Sequence, residues 1–445
     1  MKTELSFIAS LAVICTASFA ADAGYPRTLA ELNSWYTQPP PGQNAASNYL
    51  VAFAELTITD ANTSSTNLPL IDKGNLPLPD EPISQPMKEA IADFVERNQP
   101  ALTLLHEAAE FDQCRYPTDL SRGEFTLLPH LPKIRSAALV LELSAVSHAL
   151  VGDGKLAGED ALAAFALGRS LESEPNLISQ LVRFTCVVIT VNGLEQVLNR
   201  VAVPAETLNQ LQIAVGKLEE KEASGSGFTR AYVCERLSYR AVFDEPPELL
   251  LKIPRDAISE DRQFPEDFLA QIKELKAKPL PEIRAIIAED RRLFETTFDQ
   301  VMAARTNPFP ARLKELDIFS NAATDATNKN CILSSMFLPA LPNVAPKEAI
   351  GLAMLRLAQT AIALERFRAA HEDRYAETIK ELTPEHMVAV PMDPFDGKPL
   401  RYRKAGNGYI LYSIGRDLKD DSGKRGKWSD GDLVFSVVNP PRPSQ

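Results

Sequence analysis

The stretch EPNLISQLVRFTCVVITVNGLEQVL, Glu174 to Leu198, decides how the chain is read. Leu177, Ile178, Leu181, Phe184, Val188, Val191 and Leu194 recur mostly at steps of three and four, the spacing of a helix with a wide apolar face. The pattern predicts a long buried helix against which its neighbours pack, with Pro175 in the first turn. Val187 to Val191 is wholly β-branched and by itself reads as a strand. The periodicity on both sides of that run favours the helix. A membrane span is disfavoured, because only Phe184 to Val191 lacks a charge or an amide and a bilayer crossing takes about 20 apolar residues.

Outward from this stretch the same grammar continues. Lys133 to Leu150 repeats Ile134, Ala138, Leu141 and Ala145; a turn at Gly152 to Gly154 leads into Leu156 to Leu171; Ala205 to Leu218 follows. Short turns between helices of similar length predict antiparallel neighbours. Met87 to Phe111 is periodic with a break near Pro100, and Pro281 to Ala304 makes another helix. Its charged run Glu289, Asp290, Arg291 and Arg292 reads as a solvated face. The helical domain therefore spans 87–318, preceded by an extension and Pro-rich surface segment over 21–86, and the polar stretch 319–345 reads as a linker or exposed loop. No repeat period runs through these helices.

With 445 residues, 45% of them apolar and 24% charged, the chain has the composition of a folded protein of two or three domains. A formal charge of -12 argues against nucleic acid as a partner. Residues 1–20 have the pattern of a signal peptide: Lys2, an apolar core from Phe7 to Ile14, then small Ala17, Ser18 and Ala20. Export to the periplasm or the medium is the expectation, with no integral membrane segment after its removal. Ile14 before Cys15 departs from a lipid-attachment site. Four further cysteines, Cys114, Cys186, Cys234 and Cys331, permit up to two disulfides in an exported chain, or serve as buried thiols. Asn62, Thr63 and Ser64 match a glycosylation acceptor.

The end of the chain changes pattern. Lys347 to His371 reads as one long helix and Tyr375 to Leu382 as a short one. Strand candidates follow at Leu400 to Arg403, Tyr409 to Gly415 and Asp432 to Val438, the first two joined through Gly406 and Gly408. A helix laid on this sheet gives each apolar face a place to hide. The expected fold is mainly α: a multi-helix N-terminal body with a small C-terminal α+β domain over 346–437 and a tail over 438–445.

The pieces LERFRAAHEDRYAETIKEL, VPMDPFDGKPLRYR, GYILYSIGRDLKDD and WSDGDLVF come in an order that resembles the globular domain of major pseudopilins from type II secretion. The resemblance covers Lys347 to Val437 and implies a pseudopilin-like α+β domain with a calcium-binding loop. Asp417, Asp420, Asp421, Asp430 and Asp432 are the candidate ligands, since calcium takes several hard oxygens from flexible loops. Asp430 and Asp432 match the family's terminal acidic pair. The alternative is a solvated loop whose charge Lys424, Arg425 and Lys427 balance. The family's membrane helix is missing from its place directly before the module, which argues against assembly into a pseudopilus. The pieces FDQCRYPTD, LPHLPKIR and EPNLISQLVR resemble uncharacterised exported proteins of the planctomycete and verrucomicrobial sort, which implies shared architecture and no reaction.

Other constellations are weaker. His106, Glu107 and Glu110 in HEAAE lack the second histidine of a zinc hydrolase. Cys114 and His130 lie near proline bends, where a disulfide and a structural hydrogen bond compete with a nucleophile pair. Ser224 and Ser226 in ASGSGF lack the glycine spacing of a nucleophile elbow and read as a flexible turn. Tyr402, Tyr409 and Tyr412 read as cross-strand packing. The functional expectation is an exported non-enzymatic binding or structural protein whose partner is an envelope protein or extracellular polymer, with calcium bracing the C-terminal domain. The alternative is a hydrolase of such a polymer.

Overall fold

The computed structural model describes residues 24–58, 68–71, 75–246, 273–426, 430–438 and 440–441. The signal segment and the acceptor Asn62 lie outside the described residues. The helices, in chain order, are α1 Leu29–Trp35, α2 Ala46–Glu55, α3 Gln85–Arg97, α4 Gln99–Ala109, α5 His130–Leu150, α6 Gly154–Arg169 and α7 Leu177–Leu198. They continue with α8 Ala205–Ser224, α9 Ser226–Phe243, α10 Leu280–Arg305, α11 Lys314–Asn328, α12 Ile332–Phe337 and α13 Val344–Ala370. Strands β1 Arg401–Ala405, β2 Gly408–Ser413 and β3 Leu433–Val437 close the chain. The fold is mainly α with a small antiparallel sheet at its C-terminal end.

The quoted stretch is the axis of the molecule. Asn176 caps α7 by accepting from Ile178 N and Ser179 N, and the helix then packs against α5, α6, α9 and α13. Its β-branched run stays helical because Val187, Val188 and Val191 are all buried among those neighbours, and tertiary packing outweighs propensity. Thr190 returns its hydroxyl to Cys186 O. Ile178 has the spacing of a core position but sits in the first turn and is 57% exposed, with Leu177 taking the interior place. Among the described residues α7 alone is long and apolar enough to cross a membrane. It carries buried Arg183 and Glu195 and is enclosed by other helices, as a core helix is.

Two boundaries differ from the sequence reading. The stretch 319–345 is no exposed loop: α11, α12 and the 3-10 turn Leu338–Ala340 occupy most of it. Phe319, Ala322, Phe337, Leu338 and Leu341 are buried in one cluster with Phe294 and Phe298 of α10. The stripe Phe319, Ala322, Ala326 was masked by the polar residues between its members. The second difference concerns α13, which is buried on almost every side, as a helix between layers is. Val191 of α7, Leu211 of α8, Leu357 and Ile362 of α13, and Leu411 and Phe435 of the sheet belong to one continuous core. The C-terminal helix is thus shared between body and sheet.

The sheet order is β1-β2-β3, both pairs antiparallel, with Tyr402 opposite Leu411 and Leu411 opposite Phe435. An edge strand leaves backbone groups unpaired, and α7 supplies partners for those of β3. Glu195 Oε1 accepts from Ser436 N (2.7 Å), Asn199 Nδ2 donates to Ser436 O (2.7 Å), and Val438 N donates to Asn199 Oδ1 (3.0 Å). Asn199→Ala is therefore expected to cost about 1–2 kcal/mol by stranding two backbone groups. Urea unfolding of the whole chain checks this, and an unchanged midpoint would mean that water replaces the amide.

Candidate functional site

Helices α4 and α8 wall, and α6 floors, an open groove of about 650 Å³. The alanine-rich run of α6 leaves a trough between its taller neighbours. Leu162, Ala163, Phe165 and Ala166 form the floor, flanked by Ala109, Ala214 and Leu218. The rim is charged. Arg169 is committed to the fold: it donates to Phe111 O (2.8 Å) and Ala109 O (3.4 Å) at the C-terminal end of α4 and pairs with Asp112 (3.3 Å). Lys221 faces Glu172 at 3.8 Å, and Glu110, Glu159, Lys217 and Glu220 complete the rim.

His106 enters this rim from α4, held from behind. Its partner is not Glu107 or Glu110 of its own motif but Asp160 of α6, whose Oδ1 lies 2.7 Å from His106 Nε2. The other oxygen of Asp160 lies 2.8 Å from Nδ1 of His148 on α5, so one buried carboxylate clamps three helices. Burial works to raise the Asp160 pKa, but hydrogen bonds from the two imidazoles outweigh it and hold the carboxyl below its ordinary range. The hydrogen bond to Asp160 raises His148 above the ordinary imidazole range. The Asp160 contribution to stability is present above the unfolded carboxyl pKa and lost as pH falls through the depressed folded value. The His148 contribution is complete below the unfolded imidazole pKa and lost as pH rises through the elevated folded value. Asp160→Asn is expected to return His148 toward an ordinary imidazole titration in a proton NMR series; an unmoved titration would assign the shift to other groups.

The remaining titratable clusters lie elsewhere. His130 Nε2 lies 3.1 Å from Glu174 Oε2, and its ring stacks on Tyr116 at 4.3 Å. Burial pushes the neighbouring Cys114 thiol up to about 12, so it is no thiolate at neutral pH. Cys114, Cys186, Cys234 and Cys331 are free in the structure, and all but Cys114 are buried, as in the thiol alternative. ASGSGF is a tight turn packed against charge: Gly225 has φ +68°, and a Cβ there would lie 2.4 Å from Arg312 Nη1. Asp290, read as solvated, is 2% exposed and accepts from Leu333 N and Ser334 N at the start of α12. Burial raises Glu142 to about 8 and Glu235 to about 7 and pushes Glu315 up as well, yet none of these carboxyls lines the groove.

The predicted calcium ligands lie in the connection between β2 and β3. Asp432 is buried and spends both oxygens on backbone, accepting from Gly423 N (2.7 Å) and Asp421 N (3.4 Å). Burial raises its pKa, the two amides oppose this, and the charges of Asp420 and Asp421 add to it. Asp420 accepts from Ser422 N and Asp417 from Lys419 N, while Asp430 is exposed. Among the described residues no group of three or more His, Cys, Asp or Glu side chains is arranged to hold a metal. Asp417, Asp420 and Asp432 each hold a backbone amide of this loop. Arg425 reaches Glu195 on α7, and Arg401 stands 3.9 Å from Asp420. Asp393, within the quoted DPFDG run, is the residue that sequence reasoning missed. It has no exposure and accepts from Phe395 N, Ile414 N, Ser413 Oγ and Arg401 Nη1, tying the loop before β1 to the end of β2.

Comparison with protein-family models, with curated proteins and with solved structures finds no match.

Proposed function

We propose that the chain is an exported, non-enzymatic binding protein, periplasmic or secreted, whose contact site for an envelope protein or extracellular polymer is the α4–α6–α8 groove. The observation that supports this reading is the groove itself: an open trough with an apolar floor on α6, a charged rim and walls from α4 and α8. The C-terminal module, with its resemblance to pseudopilin globular domains, serves here as one side of the scaffold, because α13 belongs to the common core. Ala166, half-buried on the groove floor, gives the test. Immobilised full-length protein and its Ala166→Trp variant are exposed to native envelope extract. Partners held by the first and lost by the second support the groove; equal retention would move the contact site elsewhere. Turnover of an envelope polymer abolished by Glu110→Gln or Glu159→Gln would replace binding by hydrolysis.

Calcium belongs to the same proposal as a brace for the acidic loop, where a cation would relieve repulsion among Asp420, Asp421 and Asp432. Millimolar calcium is expected to raise the thermal midpoint of the full chain saturably, and Asp420→Asn/Asp421→Asn to abolish the rise. A midpoint indifferent to calcium and chelator would leave the backbone bonds of Asp432 as the loop's own support.

A further inference from the structure

We infer that the groove takes a cationic amphipathic helix from a partner protein, its apolar stripe on the α6 floor and its lysines or arginines against Glu110, Glu159 and Glu220. This rests on reading the groove as the contact site and adds the chemistry of the occupant. The first argument is architectural. Helix α6 already packs against α4, α5, α7 and α8, and the groove is the remaining open side of that bundle position. Ala109, Ala163, Ala166 and Ala214 keep it low, so another helix backbone can approach as closely as helices do in a bundle. Ile213 of α8, 53% exposed, lies one helical turn before Lys217 of the rim.

The second argument is charge. Five carboxylates line the groove, Glu110, Asp112, Glu159, Glu172 and Glu220, against three fixed cations, Arg169, Lys217 and Lys221. Arg169 is spent on Asp112 and the α4 carbonyls, and Lys221 on Glu172. What faces an arriving ligand is Glu110, Glu220 and Glu159, the last already 3.7 Å from Lys155 on its own helix, with Lys217 opposing them. An anionic segment meets net repulsion there, and a cationic one does not.

The test uses the full chain and a fluorescent peptide of about four helical turns with leucines on one face and lysines on the other. A matched peptide carries glutamates in place of the lysines. The lysine peptide is expected to bind, and Glu110→Lys/Glu220→Lys to weaken it about tenfold or more. Glu96→Lys/Glu245→Lys, an equal charge change at exposed sites outside the groove, is expected to leave it within about twofold. Ala166→Trp is expected to abolish binding with an unchanged circular dichroism spectrum. Equal binding of the glutamate peptide, or equal weakening by the control reversal, would overturn the inference as attraction to a net acidic protein. If Ala166→Trp loses an envelope partner while the lysine peptide ignores the groove, the cationic helix falls and the groove stands. If Ala166→Trp alters neither, both fall.

Discussion

Glu348→Ala is expected to cost about 3–5 kcal/mol of folding free energy, the loss typical of removing one partner from a buried ion pair. Glu348 has no exposure and accepts from Arg312 Nη1 (2.7 Å) and Arg305 Nη2 (3.1 Å). Arg305 also reaches Glu315 (3.0 Å) and Gly225 O (3.0 Å), while Arg183 pairs with Glu222 at 2.6 Å nearby. These contacts join α7, α8, α10, α11 and α13 around the Gly225 turn. Arginine keeps its proton at any accessible pH, so a missing carboxylate cannot be answered by neutralisation. Burial works to lower the Arg305 pKa, and Glu348 and Glu315 outweigh it. Replacing the pair together, Arg312→Met/Glu348→Leu, is expected to lose less than Glu348→Ala alone, since burying two charges already costs desolvation. Urea unfolding of both variants checks the ordering. A Glu348→Ala loss below about 1 kcal/mol would mean that water reaches the arginines.

The same cluster shows what one sequence can disclose. The α7 stripe, the α5 to α8 succession and all three strands were legible because each buries a face at a fixed period, and periodicity survives in the letters. Helix α11 was missed because its stripe is a phenylalanine and two alanines within polar company, too little apolar surface to signal burial. The shared core of α13 was missed for a different reason. A helix that is apolar all round shows that it is buried but not against what. The groove and its clamp were illegible in principle. His106 stands in a motif that points at Glu107 and Glu110, whereas its partner is Asp160, brought in by the packing of α6 on α4. Local spacing carries helix faces; it does not carry which helices meet.

Glu142→Gln is expected to stabilise the protein at alkaline pH while leaving it nearly unchanged in acid. Glu142 lies in α5 with 5% exposure, its chain laid across Gly193 of α7, where an added Cβ would stand 3.0 Å from Glu142 Cγ. Burial alone pushes its carboxyl from 4.5 to about 8, with no cation among the described residues to reverse the shift. Below 4.5 both folded and unfolded forms hold the proton and the residue adds no pH dependence. Between 4.5 and about 8 the unfolded chain releases it while the fold retains it, so the fold binds more protons and loses stability as pH rises. Above about 8 both forms are ionised and the loss is complete. At about 1.4 kcal/mol per pH unit the window amounts to about 3–5 kcal/mol, an order-of-magnitude figure. Glutamine keeps the shape and cannot ionise, so subtracting its stability curve from the wild type isolates this residue from Asp160, Glu235 and Glu315, which titrate in both proteins. Denaturant midpoints at several pH values from 4.5 to 9 give the two curves, and the expected signature is divergence with rising pH. Parallel curves would mean that Glu142 finds a charge partner or water in solution. Glu142→Ala would not serve, because the cavity left in α5 would subtract stability at every pH and hide the sign.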